Sequence, residues 1–156
     1  MVLQPKFQGK STHIADDKAR IALPSRFRDV VHAAGENAVV VVPPLDESLT
    51  GYTVAEFDAL SERLSSLAEE SQEASELHEY VVGESVTCGL DKQGRFLIPQ
   101  EMREEVGIVP GSSVTLVGVT TKFRIWNTEV YEARRKGLRA DIKAGRFRDL
   151  IVRARL

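Results

Sequence analysis

The chain contains itself twice, and this duplication restricts its fold more than any other feature. Residues 14–28 read IADDKARIALPSRFR and residues 89–103 read GLDKQGRFLIPQEMR. At an offset of 75, Asp16 aligns with Asp91, Arg20 with Arg95, Pro24 with Pro99 and Arg28 with Arg103. The apolar positions keep the same register, with Ile21, Leu23 and Phe27 answering Phe96, Ile98 and Met102. Farther on, AVVVV at 38–42 answers SVTLV at 113–117. After a one-residue slip, YTVAEFDAL at 52–60 answers WNTEVYEAR at 126–134. Identities at fixed spacing, together with matched apolar positions, mark a duplication rather than chance. Each half is therefore predicted to run turn, strand, short helix, strand, strand, helix.

Local chemistry supports that plan. In the second half, Leu90 precedes Asp91-Lys92-Gln93-Gly94, a turn in which Asp can bond its own downstream backbone and Gly accepts positive φ. Arg95-Phe96-Leu97-Ile98 is β-prone, and Pro99 ends the ladder because it has no N–H to give. Pro99 also suits the first turn of a helix, where that donor would go unpaired. The helix QEMREEVG closes at Gly107, Pro110-Gly111 turns the chain, and SVTLVGV and TKFRIW read as paired strands. The first half repeats this with Pro24 and Gly35. It departs at Ala19, where a side chain replaces the glycine and a positive-φ turn costs about 1 kcal/mol.

Between the halves, residues 54–83 are predicted helical. Thr53 with Glu56 forms a capping-box pattern, Phe57, Leu60, Leu64 and Leu67 recur at helical spacing, and Ala74, Leu77, Tyr80 and Val81 continue the stripe. Residues 128–143 and 146–155 read as basic helices broken at Gly145. The formal net charge of −2 conceals this polarity: residues 56–84 carry nine acids against Arg63, and residues 134–156 carry nine Lys/Arg against two Asp. A phosphate meets the local field rather than the average, so the balance does not exclude an anionic partner.

Composition narrows the class further. Hydrophobic residues at 42% and charged ones at 28% fit a globular protein. No apolar run approaches the ~18–20 residues of a membrane span. The stretch MVLQPKFQGK carries charges where an export signal has its apolar core. Cys88 has no partner for an internal disulfide, and His13, His32 and His78 are scattered, so neither a zinc site nor another metal or cofactor is expected. Neither a nucleophile elbow nor a phosphate-binding Gly-rich loop occurs, and Asp16-Asp17 are adjacent rather than paired across a cleft. These features point away from an enzyme with a small-molecule substrate and towards a cytoplasmic protein.

The string GLDKQGRFLIPQEMREEVGIVPGSSVTLV resembles the AbrB-type swapped-hairpin element: an apolar residue, Asp-x-x-Gly-Arg, alternating apolars, Pro, then a helix ending near Val-Gly-Ile. Two copies in one chain, with the opening Phe7-Gln8-Gly9 and the duplicated Asp16…Arg20 and Asp91…Arg95, resemble the MraZ family over roughly residues 7–135. The resemblance implies a mixed α+β fold, a double-split β-barrel built from two homologous AbrB-like halves with flanking helices. It implies ring-like homo-oligomers and binding of double-stranded DNA at short direct repeats upstream of the cell-division and cell-wall gene cluster, hence a nucleoid-associated regulator. On this reading residues 7–60 and 85–135 are the two halves, 61–84 an acidic helical connector and 136–156 a basic helical tail.

The candidate DNA-binding residues are Arg20 and Arg95 as base readers, since guanidinium pairs bidentately with guanine O6 and N7. Lys18, Lys92, Arg26, Arg28 and Arg103 are candidate phosphate contacts. For Arg28 and Arg103 simple surface solvation is an equal reading. Asp16, Asp91 and Gly94 are assigned to shaping the turns. Trp126 and Phe123 are read as core or interface. The basic tail is open between a solvated face, DNA contact and packing on a neighbour, and the acidic connector between solvation and a neighbour's basic surface. The competing class is an antitoxin-like interaction module, against which the basic, helix-like C-terminus argues.

Overall fold

The computed structural model describes residues 5–156, so the first four residues of the stretch read against export lie outside it. In the first half, β1 (Phe7–Ile14), β2 (Ile21–Ala22), α1 (Ser25–Ala33), β3 (Ala38–Val42) and β4 (Leu49–Tyr52) lead into α2 (Val54–Ala68) and α3 (Gln72–Gly83). The second half repeats the series as β5 (Val86–Gly89), β6 (Arg95–Phe96), α4 (Gln100–Glu105), β7 (Ser113–Thr120), β8 (Lys122–Asn127), α5 (Thr128–Lys143) and α6 (Arg148–Arg153). The duplication therefore continues through the tail, where α5 and α6 stand in the order of α2 and α3. Helix α2 crosses residue 60 and α5 crosses residue 135 without a break, because each is capped just after a strand and runs on from there.

The halves exchange strands. β1 pairs antiparallel with β7 from Phe7↔Thr120 to Ile14↔Ser113, and β5 pairs with β3 from Ala38↔Gly89 to Val41↔Val86. The sheet runs β1-β7-β8-β4-β3-β5, and β2 and β6 form a separate two-stranded ladder. The closed double-split barrel implied by the resemblance is not seen. The hydrogen-bonded order is open, with β1 and β5 as its edges.

The core is shared as the strands are. Phe7 and Phe27 from the first half stack with Phe96 and Phe123 from the second, with ring centroids 5.1 Å apart for Phe7–Phe123, 5.6 Å for Phe27–Phe123 and 6.4 Å for Phe96–Phe123. Phe96 meets Phe123 edge to face and Phe7 and Phe27 lie tilted against it, arrangements that add to the burial of each side chain. Phe123 lies between two glycines, Gly118 on β7 and Gly51 on β4. A Cβ at Gly51 would run into the Phe123 ring, and one at Gly118 into the backbone of Phe7 and Gln8. The glycines are where the sheet makes room for its central aromatic and for the incoming edge strand. A smaller core of Val42, Tyr52, Leu64 and Val81 fastens α2 and α3 to the sheet.

The helix starts follow the sequence with two differences. Pro24 and Pro99 sit at the N-cap of α1 and α4, one residue before the first helical turn, and their carbonyls accept from Arg28 N and Arg103 N at 3.0 Å. At α2, Thr53 Oγ1 accepts from Glu56 N at 3.2 Å, but the first-turn donors Val54 N and Ala55 N go to the Glu36 carboxylate at 2.6 and 3.1 Å. The cap is completed from the end of α1.

Two substitutions test this packing. Phe123→Ala removes the ring that both halves share and is expected to cost about 3–5 kcal/mol. Gly51→Ala drives a methyl into that ring and is expected to cost about 1–3 kcal/mol. Urea unfolding at fixed protein concentration reads both, and a Gly51→Ala protein as stable as the parent would refute the close packing on Phe123.

Candidate nucleic-acid interface

Each half carries one loop wired by its own aspartate. In the first, Asp16 Oδ1 accepts from Lys18 N at 2.9 Å and Arg20 N at 2.8 Å, and Asp16 Oδ2 accepts from Arg20 Nε at 2.6 Å. In the second, Asp91 Oδ1 accepts from Gln93 N and Arg95 N, both at 2.9 Å, and Asp91 Oδ2 from Arg95 Nε at 2.9 Å. Backbone bonds close both loops in the same way, Ala19 N to Asp16 O and Gly94 N to Asp91 O at 2.9 Å. The fourth position, counted from the aspartate, needs a left-handed turn, φ 65 at Ala19 and 73 at Gly94. Ala19 thus holds the glycine's conformation despite its methyl group.

The β2–β6 ladder sets the two loops side by side. Ala22 pairs with Arg95, Ile21 with Phe96, and Leu23 N donates to Gly94 O at 2.9 Å. Arg95 then reaches across the halves, Nη1 to Asp16 Oδ2 at 3.3 Å, while its Nη2 donates to Gln93 Oε1 at 3.4 Å. Both arginine side chains keep about a third of their surface open, 30% for Arg20 and 29% for Arg95. Gln93 and the cross-half pair were not visible in the sequence. The repeat offset shows which residues are equivalent, but not which equivalents meet.

The remaining candidates divide. Lys18 and Lys92 are exposed on the loops, next to the arginines. Arg26 is exposed but tied to β1, with Nη2 donating to Lys10 O at 2.8 Å. Arg28 leans from α1 over the second loop, with Nη1 3.4 Å from Gln93 O, and occupies the space a Cβ at Gly94 would need. Its repeat partner Arg103 goes the other way. It is buried at 9% exposure and donates Nη1 to Ile108 O at 3.1 Å, while its Nε finds no hydrogen-bond partner. A guanidinium turned into its own half is not placed for phosphate, which corrects the reading of Arg103. The two halves differ here: Arg28 lies over the glycine-bearing loop, while its repeat partner Arg103 bonds within its own half.

Outside the loops, two guanidiniums approach the Trp126 ring, Arg124 at 5.5 Å and Arg134 at 5.2 Å from its centroid. Asp46 pairs with both, at 2.6 Å to Arg124 and 3.9 Å to Arg134, which pins the start of α5 to the loop after β3. Cys88 is buried, and desolvation pushes its thiol up to about 11. Among the described residues no three His, Cys, Asp or Glu side chains group to hold a metal, and no helix is long and apolar enough to cross a membrane.

The loop carboxylates carry a pH signature. At Asp16, desolvation pushes the carboxyl up but is outweighed by the N–H groups of Arg20 and Lys18 and the Arg20 side chain, which hold it below its ordinary value. At Asp91 the N–H of Arg95 is the largest cause, helped by the Arg95 side chain and opposed by desolvation, and the result is again a lowered value. A carboxyl lowered by folding stabilises the fold above its unfolded value of about 4 and loses that contribution as pH falls through the folded value. The urea midpoint is therefore expected to drop below about pH 4, and less steeply in Asp16→Asn/Asp91→Asn. Equal pH slopes for parent and double variant would show that these carboxylates do not anchor the loops.

Comparison with known proteins agrees with the duplicated architecture. The family model for the MraZ protein, described as antitoxin-like, matches residues 7–78 and again 81–148. The transcriptional regulator MraZ of Desulforapulum autotrophicum is 32% identical over 94% of this chain and 97% of its own length. That of Caldicellulosiruptor bescii is 36% identical over 91% and 96%, and that of Lachnoclostridium phytofermentans 39% over 81% and 85%. Two consecutive matches, one for each structural half, and relatives aligned along nearly their whole length place the chain in the MraZ family.

Proposed function

We propose that this chain is a sequence-specific DNA-binding transcriptional regulator, acting as a homo-oligomer at the nucleoid on short direct repeats upstream of the cell-division and cell-wall gene cluster. One observation carries the reading: two identically wired loops stand side by side, each presenting a partly exposed arginine whose Nε is fixed by a carboxylate. A guanidinium held by Nε keeps its terminal nitrogens for a partner. Among the described residues Arg20 Nη2 has only Asp17 at 4.0 Å, and the terminal nitrogens of Arg95 make only the long contacts at 3.3 and 3.4 Å. Guanine O6 and N7 offer the paired acceptors such an edge fits. Because the aspartates have already ordered the side chains, little rotamer freedom remains to be lost on binding. Lys18 and Lys92 beside them, with Arg28 on α1, supply phosphate contacts that fix register without reading sequence. The relatives' names as transcriptional regulators support the same assignment.

The test is binding to the DNA upstream of the chain's own gene, with random duplex as control. Arg20→Lys and Arg95→Lys keep the charge and lose the planar fork. Each is expected to weaken operator binding by about 1–3 kcal/mol and leave random-duplex binding unchanged. Lys18→Ala and Lys92→Ala are each expected to reduce the salt slope by about 0.9 while operator preference survives. Both arginine variants binding the operator like the parent would refute the base-reading role. Absence of any operator-specific shift would favour the antitoxin-like interaction module.

A further inference from the structure

The two halves treat their last pair of helices differently. At an offset of 74 the N-caps Thr53 and Asn127 correspond, as do Leu64 with Leu138 and Ala68 with Ile142. In the first half α3 folds back along α2, so that Leu64 is buried with Val81, Tyr52 and Val42. In the second half neither α5 nor α6 contains a buried residue. Leu138 and Ile142, four apart on one stripe of α5, are each 45% exposed, and Leu150 on α6 is 54% exposed. The side chain that closes a core in one half is bare in the other.

Charge divides along the same line, nine acids and one arginine in residues 56–84 against nine cations and two aspartates in 134–156. Arg134 and Arg146 have acidic partners within their own chain, and among the described residues Arg135 and Arg139, which flank Leu138, have none. The acidic hairpin also shows apolar surface: Leu77, one residue past Glu76 and one turn past Glu73, is 43% exposed and lines a groove with Leu45 and Leu60, to which Asp46, Lys122 and Arg124 also contribute. Within the chain α2 and α3 pack on each other and on β3 and β4, while α5 packs on β7 and β8. The acidic hairpin and the basic helices therefore pack on opposite strand pairs of the sheet rather than on each other.

We propose that the basic helix α5 of one copy, with α6 following it, docks on the acidic α2–α3 hairpin of a second copy, Leu138 and Ile142 meeting the Leu77 groove and Arg135 and Arg139 meeting Glu73 and Glu76. This gives a contact surface to the self-association put forward above and rests on that part of the reading. Each copy offers one surface of each kind, so the contact is head-to-tail and generates a ring when its rotation closes.

The test is charge-swap complementation of the full chain, read by light scattering without DNA. Arg135→Glu/Arg139→Glu alone sets acid against acid, and Glu73→Lys/Glu76→Lys alone sets base against base. Each is expected to show a particle mass at least about twofold below the parent. Mixed one to one they can alternate, each swapped surface meeting its swapped complement, and the parent mass is expected to return. A second variant pair, Leu138→Cys with Leu77→Cys, is expected to form a disulfide between copies under mild oxidation, and buried Cys88 does not compete. A monomeric parent, a swapped variant that keeps the parent mass, or a mixture that stays dissociated while the parent reassembles from high salt would each overturn the docking. So would swaps that keep the mass and instead flatten the salt dependence of DNA binding, which would place these cations on phosphate. Because mass is read without DNA, failure here leaves the assignment of Arg20 and Arg95 standing or falling by its own measurement.

Discussion

Neither half of this protein can finish its own sheet, and the remaining architecture depends on that. β1 finds its ladder on β7 of the other half, and β5 finds its ladder on β3. The aromatic cluster is divided in the same way, with Phe7 and Phe27 from the first half and Phe96 from the second around Phe123. Long-range pairing of this kind defers most of the apolar burial until both halves are present, so the halves gain stability together rather than in turn. It also brings the two loops within reach of each other. The two-residue ladder of β2 and β6 would be marginal alone, and it persists because the exchanged strands on either side hold its ends in place.

Duplication within one chain allows the copies to diverge where an assembly of identical chains could not. The loop wiring is kept in both halves, down to which aspartate oxygen takes which donor. Around it the copies differ. Arg28 covers one loop while Arg103 is buried under its own helix, and alanine stands where glycine stands in the other half. The outer helices differ most, acidic and closed in the first half, basic and open in the second. The groups that make the loops are constrained by geometry, whereas the periphery was free to acquire opposite charge.

Much of this was legible in the residues. The offset of 75 located both loops, both short helices and the strand pairs, because turn chemistry and apolar spacing are local properties. Strand partners across the two halves were not legible. Period-two patterning shows which face is buried, but a strand with an apolar face pairs equally well with several neighbours. Asp46 and Arg124, 78 residues apart, carry no signal of their contact. Arg103 was misplaced because a lone arginine on a short helix reads as exposed, and only the packing around Ile108 shows that its carbonyl draws the guanidinium inward. The kinship of α5 with α2 was legible only through residue 134; beyond it surface positions had changed sign, and Leu64 with Leu138 is the one leucine kept.

An open sheet exposes two rows of backbone groups, and most proteins with such rows must keep foreign strands from joining them. Here one row is only four residues long, Val86–Gly89. The other is longer, but Gly9 interrupts it with a φ of 86, and the next carbonyl, that of Lys10, is already held by Arg26. A regular extended strand cannot lie along a backbone bent at its third residue and occupied at its fourth. Growth by adding strand to strand, the route to fibrils, is thereby checked at both margins. Side-chain surfaces are what remain for copies to meet through, and contacts of that kind come apart when salt or charge changes.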